Sequence, residues 1–193
     1  MLTGNSIGIL PTAIKIKGRE YAIRHDFRPC LDIILMFEDV DLTDVEKVQG
    51  MIEILFEEEP PMCEETILEA VKFLDMETDS NSGTSTGSSD RLFSWTQDSN
   101  YIFSAVDKVL GFSSRRCEYL HWWEFMGAFM EIGECTFSTI IYMRKQKKKG
   151  KLSKEEKEYW AENRKMFELQ KLYTEEEQAQ IDRFLALAKG GGS

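Results

Sequence analysis

YLHWWEFMGAFMEIGECTFSTIIYMR, residues 119–144, is the stretch whose reading decides the fold. It holds two of the four tryptophans and one of the two histidines among closely spaced phenylalanines and methionines, and the basic run KQKKKGK follows at once. Phe125, Met126, Phe129 and Met130 recur at helical spacing, which predicts a helix over 116–132. Gly133 interrupts the pattern. A second helix is predicted over 136–149, apolar at its start and lysine-rich at its end, where cations complement the helix dipole. Together the two read as a buried helical hairpin.

Upstream, the periodicity changes twice. Ile14 and Ile16, then Tyr21 and Ile23, alternate about Gly18-Arg19, which predicts a short β-hairpin that must dock on helices to persist. From Asp26, a candidate N-cap with Pro29 in the first turn, the spacing of Leu31, Ile34 and Leu35 is helical. Thr43 and Glu46 form a capping box for a second helix, which the acidic run and Pro60-Pro61 end. A third helix carries Ile67, Leu68, Val71, Phe73 and Leu74. Next comes DSNSGTSTGSSD, whose lack of apolar side chains predicts a flexible linker. Beyond it a helix over 96–110 ends at Gly111, and Ser153 with Glu156 caps a helix containing Tyr159, Trp160, Met166, Phe167 and Leu169. Thr174 with Glu177 caps a last short one. The expected fold is mainly α with a small N-terminal hairpin. Its expected organisation is a hairpin and three-helix lobe over 1–78, a linker over 79–91, a helical lobe over 92–189, and a tail over 190–193.

The chain has 193 residues, 42% apolar and 11% aromatic, enough to bury a core. A net charge of −10 argues against a dedicated nucleic-acid binder, whose affinity comes from cations displacing phosphate counterions. Charge is uneven: residues 1–77 carry 17 acids against 7 bases, and residues 141–193 carry 9 against 13. Such asymmetry favours head-to-tail self-association if the faces meet, and otherwise marks solvated helix faces. Cys30, Cys63, Cys117 and Cys135 form no C-x-x-C pair and read as reduced thiols. MLTGNSIGIL lacks the features of a signal peptide, and no apolar run approaches the roughly 20 residues of a membrane span.

Residues that could carry chemistry are few. His121 and Glu124 share a helical face at i, i+3, with Cys117, Cys135 and His25 as remaining candidate ligands, yet no zinc spacing is met. Cys117 and His121 would make a thiol–imidazole pair without an orienting third group. No phosphate loop, dinucleotide fingerprint, nucleophile elbow or zinc-protease motif occurs. No catalysis, cofactor or metal is expected, and His121 is expected to be a core histidine held by a backbone group. Partner binding is the better lead, because thioethers and aromatics adapt to varied helical partners. The candidate contacts are Met126, Met130 and Tyr142, with Arg144, Lys145, Lys147, Lys148 and Lys149 meeting an acidic surface. In a competing reading, the basic segment 144–151 binds nucleic-acid phosphates or a host protein.

Several segments in order resemble one family. They are KIKGREYAIRHDFRPCLDII, DLTDVEKVQGMIEILF, the EEPP break, EAVKFL, QDSNYIFSAVDKVLG and, most specific, Leu120-His121-Trp122-Trp123 followed by Phe125. Thr136-Phe137, Tyr142-Met143-Arg144 and the lysine-rich turn close the set. Over residues 14–172 the chain resembles the tail-assembly chaperones of long-tailed siphovirus phages of Gram-positive bacteria. It departs from them at LGFSSRRCEY, where the family more usually carries a short apolar step, and in the helix after Thr174. The resemblance implies a non-enzymatic factor of the host bacterial cytoplasm. Such a factor coats the tape-measure protein while tail-tube protein is recruited, and often pairs with itself or a frameshifted longer form.

Overall fold

The alternation of Ile14, Ile16 and Tyr21 is realised as an antiparallel ribbon. In this computed structural model, which describes residues 8–77 and 91–170, β1 (Ala13–Ile16) pairs with β2 (Arg19–Ala22), placing Ile14 opposite Tyr21 and Ile16 opposite Arg19. The turn is Lys17-Gly18, with φ of 48° and 85°. Two left-handed residues match the twist of the strands, so Arg19, expected in the turn, pairs in the strand instead. Ile14 and Ile16 are fully buried, and β1 lies on the third helix, which gives the ribbon the support it needs.

Local capping chemistry sets the first helices. For α1 (Phe27–Glu38), the Asp26 carboxylate accepts from the Arg28 backbone N–H at 2.9 Å. For α2 (Asp44–Leu55), Thr43 and Glu46 form the reciprocal box. The far end of α2 is closed by a residue distant in sequence: the Arg24 guanidinium donates to the carbonyls of Glu53, Ile54 and Phe56. Gly50 lets α2 approach α1, because a Cβ there would strike the Met36 sulfur. α3 (Glu64–Leu74) then packs on α2 and β1.

The later helices are α4 (Ser99–Leu110), α5 (Trp122–Met130), α6 (Thr136–Lys148), α7 (Lys154–Glu162) and α8 (Arg164–Phe167). Gly111 ends α4 in the left-handed region (φ 77°), as its position predicts. α5 is shorter than expected, starting at Trp122 rather than near 116. The preceding residues are held in a loop: Asp107 accepts from the Ser114 N–H and hydroxyl, and the Arg28 guanidinium donates to the Cys117 carbonyl. The hairpin expectation for α5 and α6 is also corrected. α5 packs on α1 and α4, α6 packs on α4 and α8, and the two meet near their connecting turn, where the Phe129 and Phe137 rings lie 6.0 Å apart. The helix over Tyr159 and Phe167 breaks at Asn163, whose side chain donates to the Tyr159 carbonyl.

One buried cluster runs from Ile14 in β1 to Phe137 in α6, drawing on both sides of the serine-rich segment. Its centre is aromatic: Phe27 stacks on Phe125 at 4.6 Å and Trp122 on Phe125 at 6.1 Å, while Trp95 meets Phe129 at a tilt at 4.9 Å. Burying each such side chain is worth about 1.5–3 kcal/mol. A smaller cluster gathers Ile140 and Met143 of α6 with Trp160 and Phe167. Residues 79–90 of the expected 79–91 linker, the helix after Thr174 and the tail over 190–193 lie outside the described residues.

Candidate partner-binding surface

The motif Leu120-His121-Trp122-Trp123 is a junction between segments distant in sequence. The Phe27 N–H donates to the Leu120 carbonyl (2.9 Å), and the Trp122 N–H to the His25 carbonyl (2.8 Å). Both indoles close the C-terminus of α3: Trp122 Nε1 donates to the Leu74 carbonyl (2.9 Å) and Trp123 Nε1 to the Phe73 carbonyl (2.8 Å). A helix leaves its last carbonyls without intrahelical partners, and here two consecutive tryptophans donate to two of them, Phe73 also accepting from the Met76 N–H. The Trp-Trp pair therefore serves as a fastening.

His121 is 1% exposed and is the N-cap of α5. Its Nδ1 accepts from the Trp123 backbone N–H (3.0 Å), which leaves Nε2–H to donate to the Pro11 carbonyl (3.0 Å). The i, i+3 spacing to Glu124, which could suit a metal, is spent on a capping box. Among the described residues, no group of His, Cys, Asp and Glu is arranged to hold a metal. The Cys117 thiol donates to the Ser114 carbonyl (3.0 Å), while the His121 Nδ1 lone pair is taken by the backbone, so these two residues do not form an activated pair. All four cysteines are free thiols.

The environment of His121 makes stability depend on pH. Burial pushes its pKa below the ordinary 6.5, and the His25 ring, stacked at 5.2 Å, pushes the same way, while the Pro11 carbonyl and Glu124 oppose them. His25 in turn bonds the Tyr119 hydroxyl (2.7 Å). Below about pH 6.5 the unfolded chain therefore binds more protons than the folded one. Stability is expected to be full above that pH and to fall as pH drops toward the depressed folded pKa. Urea unfolding between pH 7.5 and 5.5 should show this loss, and His121→Asn, which keeps a capping oxygen, should flatten it.

The expected partner contacts divide into three groups. Met126 is half-buried against the main cluster, and Met130 is exposed where α5 ends. Tyr142 is exposed and donates from its hydroxyl to Glu156 (3.0 Å). Lys145, Lys147, Lys148 and Lys149 are exposed at the C-terminal end of α6, on a different helix from the two methionines. Arg144 leaves the surface set altogether. It is 6% exposed and pairs in bidentate fashion with Asp98 (2.6 and 3.0 Å), while also donating to the carbonyls of Phe167, Leu92 and Met166. Phe137, Ile140 and Arg144 lie on one helical stripe, a pattern that marks the arginine as inward-facing despite the lysines after it.

Two shallow hollows flank this basic end and share Lys147 and Trp160. One, of about 340 Å³, is lined by Lys147, Gly150, Leu152, Lys157 and Trp160. The other, of about 240 Å³, adds Arg91, Leu92, Lys148, Phe167, Glu168 and Leu169. The Lys147 ammonium sits 4.0 Å from the Trp160 ring centroid, a cation–π contact. Among the described residues, two buried side-chain donors lack a hydrogen-bond partner, Arg91 Nε and Trp160 Nε1, and both residues line the second hollow. The sequence singled out the lysines but missed Arg91, Lys157 and the role of Trp160, which come together only when α7 and α8 fold back on α6.

The described residues form an α-helical body with a docked hairpin, in which His121, Trp122 and Trp123 serve the scaffold. The chain belongs to the bacteriophage Gp15 protein family, whose model matches residues 7–169. Comparison with curated proteins gave no match, and comparison with solved structures gave none either. No helix among the described residues is long and apolar enough to cross a membrane.

Proposed function

We propose that the chain is a tail-assembly chaperone that covers the tape-measure protein and helps recruit tail-tube protein during phage morphogenesis in the host cytoplasm. The observation that carries this reading is the apolar groove at the α6–α7 end, floored by Leu152, Trp160 and Phe167 and rimmed by Lys147 and Lys157. An apolar floor with a cationic rim suits an amphipathic helix that bears carboxylates beside its apolar stripe. A long tape-measure helix needs such cover until the tube encloses it, and charged rims keep the cover reversible. The phage family and the segment order quoted above supply the remaining support. Burial of Arg144 removes one cation from the competing nucleic-acid reading of 144–151.

The test is co-expression with the tape-measure protein of the same phage, scored by solubility and co-purification. Wild type is expected to keep it soluble, whereas Leu152→Asp with Lys147→Glu should lose that ability and retain the wild-type helical content. Solubilisation that survives the double substitution would remove the groove from the mechanism. A tape-measure protein left insoluble by the wild type would remove the chaperone reading itself.

A further inference from the structure

The pattern that the α6–α7 groove selects is displayed on another helix of the same chain. α3 turns Thr66, Glu69, Ala70, Phe73 and Leu74 inward, with α2 and β1 packed on that side, and leaves its other face to solvent. The outward face carries Glu64, Leu68 and Val71 at helical spacing, with Glu65 beside them. Leu68 is 52% exposed, Val71 38%, and Met62, just before the helix, 56%. An apolar stripe beside carboxylates is the complement of a floor made by Leu152 and Trp160 and a rim made by Lys147 and Lys157. The charges match in number as well as in sign. Residues 57–65 hold five glutamates and no base, and residues 145–151 hold five lysines and no acid. The β-hairpin gathers the acids at the start of α3: the Lys17 N–H donates to Glu65, and Arg19 pairs with Glu58. Glu64, Glu65 and Leu68 are exposed, and so are Lys147 and Lys157, so neither patch covers the other within one chain.

We propose that the outward face of α3 in one copy docks in the α6–α7 groove of the next copy. Leu68 and Val71 meet Leu152 and Trp160, and Glu64 and Glu65 face Lys147 and Lys157. The two patches differ, so the contact is heterologous: every docked pair keeps one open groove and one open α3 face, and association runs head to tail. Because the paired charges lie at the surface, salt screens the attraction and weakens the assembly. A partner helix of like pattern competes with the second copy for the groove. The inference rests on the groove of the chaperone reading, but not on the partner assigned there.

Sedimentation of the full chain alone tests it. At low salt the weight-average mass of wild type should grow with concentration, and at high salt it should return to that of the monomer. One variant reverses the groove, Lys147→Glu with Lys157→Glu, and another reverses the helix face, Glu64→Lys with Glu65→Lys. Each should be monomeric by itself with wild-type helical content, and mixing the two should restore association, because each then meets the opposite charge on the other. Leu68→Ser, which alters no charge, should weaken association by about tenfold, the effect of losing one buried leucine side chain. A wild type that stays monomeric at low salt and high concentration would overturn the proposal. So would association that survives both reversals, or that is lost in only one of them, since the contact would then be symmetrical. None of these readings involves tape-measure solubility, so failure here and failure of the chaperone reading are separable.

Discussion

Arg144→Ala is expected to lower folding stability by about 3–5 kcal/mol, a large share of what a domain of this size possesses. The guanidinium makes five short contacts, two with Asp98 and one each with the carbonyls of Phe167, Leu92 and Met166. Removing it strands the Asp98 carboxylate at 1% exposure and leaves three carbonyls unpaired. The penalty therefore lies in uncompensated burial more than in the lost attraction. Asp98→Ala in the same chain should recover part of the loss, since the stranded charge goes with it. Urea unfolding of the two singles and the double makes the cycle, and additive losses would show that the pair does not act as a unit. Lys145→Ala, one position along, should stay within about 0.5 kcal/mol of wild type.

Trp122→Ala is expected to cost a further value in the same range, about 3–5 kcal/mol, by a different route. The indole is 1% exposed and stacks on Phe125, so truncation opens a cavity at the centre of the aromatic cluster. It also leaves the Leu74 carbonyl without its donor. Trp123→Phe removes the indole N–H donated to the Phe73 carbonyl, which keeps the Met76 N–H, and trims the ring stacked on Phe73, and should cost about 0.5–1.5 kcal/mol. A shift in the urea midpoint at constant slope would report these losses as stability alone. Equal losses for Trp122→Ala and Trp123→Phe would mean that packing contributes little at this site.

Short-range signals carried most of the fold. Asp26, Thr43 with Glu46, Gly111, and Ser153 with Glu156 all act within one turn of themselves, and each stands where its spacing places it. Errors arose where a distant residue decides the outcome. Residues 116–121 have the composition of a helix, but Arg28 and Asp107 tie that region into a loop, and no local pattern encodes either tie. Arg144 reads as the first of a basic run because its partner lies 46 residues away. The candidate surface was legible in its lysines, which local composition reveals. It was not legible in Arg91 and Trp160, which tertiary folding brings to the same hollow.

The fastening by His121, Trp122 and Trp123 also bears on how the chain folds as it leaves the ribosome. Pro11, His25, Phe73 and Leu74 all await groups that are translated about fifty residues or more after them. At about 5–20 residues per second, the first three helices emerge several seconds before the side chains that finish them. Through that interval the Leu74 carbonyl lacks its indole donor and Phe27 lacks its stacking partner. Completion is thus long-range and late, the pattern of a slow-closing nucleus. A nascent chain stalled before residue 119 should remain protease-sensitive, and one stalled after residue 130 has cleared the exit tunnel should not.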